Sequence, residues 1–333
     1  MQIKISATII VLLSLVACSK ESSTDTLQTG ASISNASLDN DNAIIPLNDL
    51  GTGTFKGYTG GLYPGGANEP SGQYADDLLA TSQGIVPIDT TGKPVVSKLG
   101  KVVFLSLGGS TGGHNMKLLK TKTLGNPLTN PKLQLLNANN GSGNSGLLNI
   151  MDVNNGYWNK VSQTIKGGKS SFRQVQVLYL ETDDSSRNIS WPYRPNLIKS
   201  DLQTCLRIFK QKFPNLKVVY VLGRTKTFGS IATWNREPSP YYFGWGCKWA
   251  IEDQINNVPS TEYKDSNAVS PMLAWGFYEW ADSIPRTTDG FSWTASQTAD
   301  GLHANDAGQD SLTTRFQNFL LTDPYASIWY AKH

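Results

Sequence analysis

Two stretches of this sequence carry residue types whose spacing suits covalent catalysis. Ser110 lies in the glycine-rich run 108–113, where small neighbours leave its hydroxyl little steric cover. Far along the chain, His303 follows Asp300 by three positions. An acid at that spacing can fold back on a turn and accept the imidazole Nδ1 proton, which leaves Nε2 free to act as a base toward a hydroxyl. Together the three side chains indicate nucleophilic attack by an activated serine.

Each stretch also has a plainer interpretation. Glycines around a serine are typical of a turn that needs positive φ, and a surface turn uses the same residue types as Asp-x-x-His. Of the three histidines, His333 is the last residue, and His114 has no acid nearby in sequence to orient it. We therefore predict Ser110 as the nucleophile, His303 as general base and then acid, and Asp300 as its orienting partner. His114, four positions after Ser110, is predicted to contact substrate at the cleft rim.

The elements that must position these residues alternate between strand and helix along the chain. Four runs of strand length are apolar at nearly every position: 102–107, 132–137, 175–180 and 216–222. Four segments are predicted helices: 74–81, 157–165, 198–213 and 312–320. Apolar strands that alternate with helices are typical of a parallel sheet buried on both faces. The sequence therefore predicts an α/β fold, a three-layer α/β/α sandwich with a central parallel sheet, and Ser110 just beyond the carboxyl end of a strand.

A serine early in the chain and Asp-x-x-His just before the last helix is the order found in the SGNH (GDSL-type) hydrolases. This chain resembles that superfamily from about Gly53 to the C-terminus, and it is most similar to an uncharacterised bacterial lipoprotein branch. Members of that branch carry G-L-Y-x-G-G-x-N-E-P, here Gly61 to Pro70, and a segment that begins W-G-x-Y-x-W-A-D, here Trp275 to Trp293. The resemblance implies a flavodoxin-like SGNH-hydrolase fold and ester hydrolysis. The loop from Gly61 to Pro70 is then either a wall of the active-site cleft or a packed entry loop.

The resemblance also implies three hydrogen-bond donors for the oxyanion that forms during acyl transfer. The superfamily uses the backbone N–H of the nucleophile, here Ser110, and a glycine N–H after the second strand, here Gly141 or the nearby Gly143. The third donor is an asparagine side chain after the third strand, where this sequence has Asp183 instead. A further departure is Gly109, which stands where the superfamily usually has aspartate.

The carboxylate at Asp183 leaves three outcomes open, because an ionised acid repels an oxyanion. Another donor replaces the asparagine, or the carboxyl is protonated, or the site is weak or inactive. The replacement donors that we consider are Asn139, Asn140 and Thr182, and we assign Asn140 to the oxyanion hole. The acids within 181–184 also suit oxygen ligation of Ca²⁺ or Mg²⁺, although a solvated loop has the same composition. We predict no metal and no cofactor.

Aromatic residues are concentrated before the Asp-x-x-His turn, where flat rings beside polar groups suit sugar binding as well as a core. We predict that Trp280 and Trp293 contact substrate. The expected function is a serine esterase that acts by Ser-His-Asp acyl transfer on a small-molecule or carbohydrate ester, with an acetylated carbohydrate as the leading substrate. Two alternatives stay open: a non-catalytic glycan-binding lipoprotein on the same fold, and a lipase-like esterase for acyl lipids.

The first residues predict export and a lipid anchor. The apolar run 9–16 follows a short positive start and is too short to span a bilayer. It ends in Leu-Val-Ala-Cys, which looks like a bacterial lipobox; a plain secretory signal with a stray cysteine is the alternative. We predict a signal peptide over 1–17, a lipidated Cys18, a flexible tether over 18–48 and one hydrolase-like domain over 49–333. The expected location is the cell envelope (outer membrane, periplasmic face or cell surface), with membrane attachment through the lipid only.

Charge bears on nucleic-acid binding, and cysteine content bears on disulfide formation. The chain has 29 basic and 26 acidic residues and no basic run of five, so we predict no nucleic-acid partner. Cys205 and Cys247 remain beyond the predicted lipidation site. Either a disulfide, which export permits, or two buried free thiols fit the sequence.

Overall fold

The computed structural model of this chain describes residues 44–97, 99–141, 145–184, 189–229, 231 and 235–333. The predicted signal peptide, the lipidation site Cys18 and the tether up to residue 43 lie outside the described residues. The described residues belong to one compact unit. This unit begins slightly before the predicted domain start at residue 49, because the Leu47 side chain is completely buried in the main core.

The secondary structure alternates between strands and helices as the sequence predicts. The helices are α1 (Leu47–Leu50), α2 (Gly72–Gln83), α3 (Ser110–Gly125), α4 (Leu147–Met151), α5 (Tyr157–Gly167), α6 (Tyr193–Lys212), α7 (Ser239–Ile255), α8 (Asp306–Thr322) and α9 (Ser327–Tyr330). The strands are β1 (Thr54–Phe55), β2 (Tyr58–Thr59), β3 (Val102–Gly108), β4 (Leu133–Asn137), β5 (Val175–Glu181), β6 (Val218–Val221) and β7 (Met272–Trp275). Strands β1 and β2 form a short antiparallel ribbon, and the other five form the central sheet.

The central sheet is parallel throughout, with its strands in the spatial order β4-β3-β5-β6-β7. Counted along the chain, this is the order 2-1-3-4-5 that is known from doubly wound α/β proteins. Every residue of β3, β5 and β6 is buried, as their largely apolar sequences predict. The order of the strands reverses between β3 and β5. In open sheets of this kind, ligands bind outside the carboxyl ends of the strands at that point, and α3 starts there.

Both faces of the sheet are covered. On one face, Phe104 of β3 and Tyr179 of β5 contact Phe316 of α8, with ring-centroid distances of 6.4 and 5.2 Å. Leu105 and Leu178 occupy the alternate positions of the same strands and are equally buried. The arrangement is consistent with a three-layer α/β/α sandwich and confirms the predicted central parallel sheet.

Each of the four predicted strands and four predicted helices overlaps an observed element. Helix α3 was not predicted, because its glycines at 112 and 113 are typical of a loop. Helix α7, strand β7 and the short elements α1, α4, α9, β1 and β2 were not predicted either. Helix α7 is buried on nearly all sides, so it lacks the polar face that marks a surface helix in a sequence, and β7 has only four residues. Cys205 and Cys247 are both buried and free, with no disulfide between them. Among the described residues, no helix combines the length and the apolar character needed to cross a membrane.

Candidate active site

Ser110 is the first residue of α3, and Gly108 and Gly109 connect it to the buried part of β3. Gly108 has a φ of 134°, and a Cβ at this position would lie 1.9 Å from the carbonyl oxygen of Glu181 on β5. Only glycine permits this backbone path. The Gly109 N–H donates to the same carbonyl oxygen at 3.1 Å. The glycine-rich sequence therefore fixes the start of α3, and Ser110 with it, at the reversal point between β3 and β5.

The Asp-x-x-His segment forms a tight turn that is docked on the chain after β6. Gly301, inside this turn, has a φ of 84°, and a Cβ there would lie 2.0 Å from the carbonyl oxygen of Phe228. The Phe228 N–H donates to the Gly301 carbonyl at 2.8 Å. Thr298 and Ala304 pair as an antiparallel bridge that closes the turn, and α8 begins directly afterwards with Asn305 as its capping residue. This docking holds the turn above the start of α3.

The structure brings the three predicted catalytic side chains into one hydrogen-bonded chain. Ser110 Oγ lies 2.8 Å from His303 Nε2, and His303 Nδ1 lies 2.7 Å from Asp300 Oδ2. Because a carboxylate can only accept, Nδ1 carries the proton and Nε2 is the acceptor that faces the hydroxyl. The Asp300 Oδ1 atom accepts from the backbone N–H groups of Leu302 at 3.0 Å and His303 at 2.7 Å, which fixes the orientation of the acid.

The acid of this triad is open to solvent. The side chains of His303 and Asp300 are 30% and 54% exposed. Partial desolvation acts to raise the pKa of Asp300, but hydrogen bonds from the His303 ring and from the backbone N–H groups of His303 and Leu302 outweigh it and lower the pKa to about 2. Asp300 is therefore ionised at neutral pH, and water screens its attraction to an imidazolium.

Two backbone N–H groups lie beside the nucleophile and are available to an oxyanion. A Cβ built on Gly141 would lie 3.7 Å from the Ser110 Cβ, so the chain after β4 reaches the serine. In the part of the chain that the structure describes, neither the Ser110 N–H nor the Gly141 N–H donates a hydrogen bond. The Asn140 N–H donates to the Gly108 carbonyl at 2.9 Å, so this backbone group is not available to an oxyanion. Gly143 lies outside the described residues.

The side chains of Asn139 and Thr182, the other two candidate donors, already donate hydrogen bonds within the protein. Asn139 Nδ2 donates to Ser106 Oγ at 2.5 Å and to Asn137 Oδ1 at 2.9 Å. Thr182 Oγ1 donates to the Ser145 carbonyl oxygen at 2.5 Å. Both donor groups therefore hold neighbouring loops together, and neither is directed to the serine hydroxyl.

Asp183, at the position where the resemblance predicts asparagine, is held by two arginines. Its carboxylate accepts from Arg194 of α6 at 2.6 Å and from Arg224, after β6, at 2.7 Å, and all three side chains are at least nine-tenths buried. Asp184 lies 3.5 Å from the same Arg194. These ion pairs direct both acids into the fold, so the metal-ligand interpretation of 181–184 is not supported. Across the described residues, no group of three or more His, Cys, Asp or Glu side chains is arranged to hold a metal ion.

A pair of buried acids next to α3 has no counterpart in the sequence analysis. Glu181 Oε2 and Glu279 Oε1 both accept from the Asn115 amide, at 3.1 and 3.2 Å, and Glu181 also accepts from the Tyr179 hydroxyl. Desolvation raises the pKa of both carboxyls, and repulsion by Glu181 raises that of Glu279 further. The shared amide ties the second turn of α3 to β5 and to the chain after β7. Isolated acids in separate segments carry no sequence pattern that would have predicted this contact.

Only one of the three predicted substrate contacts lies at the surface beside the triad. His114 is exposed on α3, and its ring centroid lies 6.0 Å from that of His303. Trp280 and Trp293 are completely buried, and their indole N–H groups donate to a glutamate and to a backbone carbonyl. The prediction that these two tryptophans contact substrate is therefore wrong, because neither ring presents a face to solvent. Both rings anchor in the core the segment that precedes the Asp-x-x-His turn.

The loop from Gly61 to Pro70 borders a different cavity. Leu62, Asn68 and Glu69 line a cavity of about 360 Å³ together with Trp275 at the end of β7. Ser110, Asp300 and His303 are not among the residues that line this cavity. The interpretation of this loop as a wall of the active-site cleft is thus not supported, because the loop packs along β7 at the edge of the sheet.

The arrangement around Ser110 suits acyl transfer. A hydroxyl contacts a base, an ionised acid orients that base, and N–H groups lie at the start of a helix, where the backbone favours negative charge. No protein-family model and no curated protein matches this chain. The functional inference therefore depends on the geometry of the site and on the fold.

Proposed function

We propose that this protein is a serine hydrolase of the SGNH type that cleaves carboxylic esters. The observation that carries the proposal is the hydrogen-bonded chain from Ser110 Oγ through His303 to Asp300, with distances of 2.8 and 2.7 Å. Serine is a weak nucleophile at its free pKa, and contact with an oriented base is what activates it. The flavodoxin-like strand order and the position of Ser110 at the reversal point of the sheet support the same assignment.

The proposed reaction proceeds in two halves. His303 Nε2 takes the Ser110 proton while Oγ attacks the ester carbonyl carbon, and the resulting oxyanion accepts from the backbone N–H groups of Ser110 and Gly141. The imidazolium then protonates the leaving alcohol as the tetrahedral intermediate collapses to an acyl-enzyme. In the second half, His303 removes a proton from water, which attacks the acyl-enzyme, and Ser110 recovers its proton as the acid leaves. Asp300 stabilises the imidazolium in both halves.

The exposure of the triad favours an ester whose alcohol is large and polar. With His303 and Asp300 30% and 54% exposed, the alcohol can stay in solvent while its acyl group reaches Ser110. A long acyl chain instead needs an apolar cavity to cover it. We therefore propose an acetyl ester of a carbohydrate as the substrate class. The predicted export signal is consistent with such a substrate outside the cell.

The glycan-binding alternative drew its support from the carboxylate at Asp183. The ion pairs of Asp183 with Arg194 and Arg224 give that carboxylate a role within the fold. Since the carboxylate is neutralised by two guanidinium groups, it is no longer an argument against an oxyanion at Ser110.

The test is ester hydrolysis by the purified protein. We expect release of p-nitrophenol from p-nitrophenyl acetate, loss of that activity in Ser110→Ala, and full activity in the control Ser283→Ala, which removes an exposed hydroxyl elsewhere. We also expect release of acetate from an acetylated polysaccharide. Equal turnover by Ser110→Ala would refute the serine mechanism. Faster hydrolysis of p-nitrophenyl octanoate than of the acetate would refute the short acyl group and favour a lipase-like esterase.

A further inference from the structure

A cavity of about 360 Å³ lies at the edge of the sheet, away from the triad. It is bordered by the loop 61–70, by the chain at the end of β7 and by the C-terminal end of α8. Its volume falls within the range of small-molecule sites, about 300–1,000 Å³. The proposed esterase mechanism makes no use of this space.

Asn48, a residue that lines one side of the cavity, has an amide oxygen that lacks a donor. Asn48 is 7% exposed, and its Nδ2 donates to Thr288 Oγ1 at 2.7 Å. The Thr288 hydroxyl itself donates to Asp49 Oδ1 at 2.8 Å, so it can only accept from Asn48. This relay fixes the amide orientation and leaves Asn48 Oδ1 buried without a hydrogen-bond partner among the described residues. A buried acceptor of this kind costs free energy until a donor reaches it.

A second amide repeats the pattern. Asn68 Nδ2 donates to the Asn48 backbone carbonyl at 2.9 Å. Exchange of its amide atoms would place two oxygens in contact, so the orientation is again fixed. Asn68 Oδ1 is also buried without a donor in the described part of the chain. Two residues of the cavity lining therefore each carry an oriented amide oxygen that has no donor and lies behind the cavity surface.

Two carboxyl groups add negative charge to the same lining. Glu69 and Asp323 both border the cavity. Partial desolvation raises the pKa of each, and repulsion by Asp323 raises that of Glu69 further. None of the described residues that line the cavity is lysine or arginine. The charge of this cavity therefore calls for a ligand that carries a positive charge.

Aromatic rings form much of the remaining wall. Tyr63, Trp275, Phe319 and Tyr325 all border the cavity, and the Trp275 indole is anchored by donation to the Leu62 carbonyl at 2.8 Å. Aromatic faces attract cations and also cover the apolar body of a small ligand. Carboxylates combined with aromatic walls are the features by which proteins recognise ammonium groups.

We propose that this cavity is a second binding site, which takes a small organic cation with an ammonium group and an apolar body. The ammonium lies between Glu69 and Asp323. The apolar body packs against Trp275 and Phe319. The site is separate from the proposed esterase centre and does not depend on its activity.

The experiment uses benzylammonium as the probe and compares it with benzyl alcohol and benzoate, which share its ring. Calorimetry at pH 8 should show saturable binding of benzylammonium with a Kd on the order of 1 mM and no saturable binding of the other two. Glu69→Gln and Asp323→Asn should each raise the Kd about tenfold or more. Asp265→Asn, which removes an exposed carboxylate outside this cavity, should leave it unchanged. Binding should weaken as the pH is lowered, because protonation of the two acids removes the attraction while the probe stays charged.

Four results would overturn the proposal. Binding of benzyl alcohol as tight as that of benzylammonium would show that charge plays no part. Undiminished binding in Glu69→Gln, which changes an exposed residue of the cavity lining, would place the probe elsewhere. Loss of binding after phosphonylation of Ser110 would place the probe at the triad, and complete absence of saturable binding would remove the site.

Discussion

Replacement of Asp300 by asparagine tests how an exposed acid contributes to a triad. Asparagine keeps an oxygen that can accept from the backbone N–H groups of Leu302 and His303. Its amide nitrogen, however, then faces His303 Nδ1 and favours the tautomer with the proton on Nε2. In that tautomer the imidazole cannot accept the Ser110 proton, so we expect kcat to fall while the fold is retained.

The size of the effect follows from the pKa and the exposure of Asp300. The decrease of its pKa from 3.8 to about 2 corresponds to about 2.4 kcal/mol. Because the side chain is 54% exposed, solvent screening reduces this to about 1 kcal/mol, or roughly fivefold in rate. The tautomer effect adds to this factor. We expect a total loss in kcat of about 10- to 100-fold, well below the ~10⁴ seen for buried triad acids.

The assay is the hydrolysis of p-nitrophenyl acetate between pH 6 and 9 at low and high salt. His303→Ala supplies the lower limit, and Asp306→Asn, which changes an exposed acid at the start of α8, is the matched control. Asp300→Asn should lie between wild type and His303→Ala, with thermal stability close to that of the wild type. A change of less than twofold in kcat would refute the orienting role of Asp300. A loss as large as that of His303→Ala would refute the argument from solvent screening.

Two further substitutions test the buried acids. Asp183→Asn introduces the residue expected by resemblance, but it removes the charge partner of the buried Arg224 and leaves Arg194 with Asp184 as its acidic neighbour. Urea denaturation should therefore show a loss of about 3–5 kcal/mol in the free energy of unfolding, and higher activity at unchanged stability would contradict this. Desolvation raises the pKa of Glu237 from 4.5 to about 7, against hydrogen bonds from Thr227 and Trp280. The stability that the bound proton supplies is therefore present below pH 4.5 and is lost as the pH rises through 7. At pH 8, Glu237→Gln should be more stable than the wild type by up to about 3 kcal/mol, whereas at pH 4 the two proteins should have similar stability. Equal stability of the two proteins at both pH values would contradict the raised pKa.

Local sequence was enough to predict the strand that leads to the proposed nucleophile, but not helix α3, which begins at Ser110. The uniform apolar run of β3 and the glycines after it predicted a strand that ends at Ser110, and Gly108 shows why glycine is needed, since a Cβ would lie 1.9 Å from a neighbouring carbonyl oxygen. The spacing of Asp300 and His303 predicted their hydrogen bond because a turn of that length is a local structure. The 2.8 Å contact of His303 with Ser110 joins positions 193 residues apart. This contact was predicted only from the order of the serine and Asp-x-x-His motifs along the chain.

The features that could not be predicted from the sequence are those that long-range packing determines. Trp280 and Trp293 are of a residue type that often binds sugars, yet both rings are buried in the core. The two arginines that pair with Asp183 come from α6 and from the chain after β6. The sequence around Asp183 therefore contains no pattern that predicts these ion pairs. Helix α7 is apolar on nearly every side and gave no periodic signal. The cavity beside β7 likewise joins the loop 61–70 with residues from the far end of the chain.

The most direct measurement of the central claim is labelling with a fluorophosphonate probe followed by peptide mapping. Such a probe reacts with a serine that a neighbouring base activates, and exposure alone is not enough. We expect stoichiometric labelling of the wild-type protein at Ser110, no labelling of Ser110→Ala, and labelling at least about 100-fold slower in His303→Ala. An unlabelled wild-type protein, or a label attached to any other residue, would contradict the proposed Ser110–His303–Asp300 mechanism.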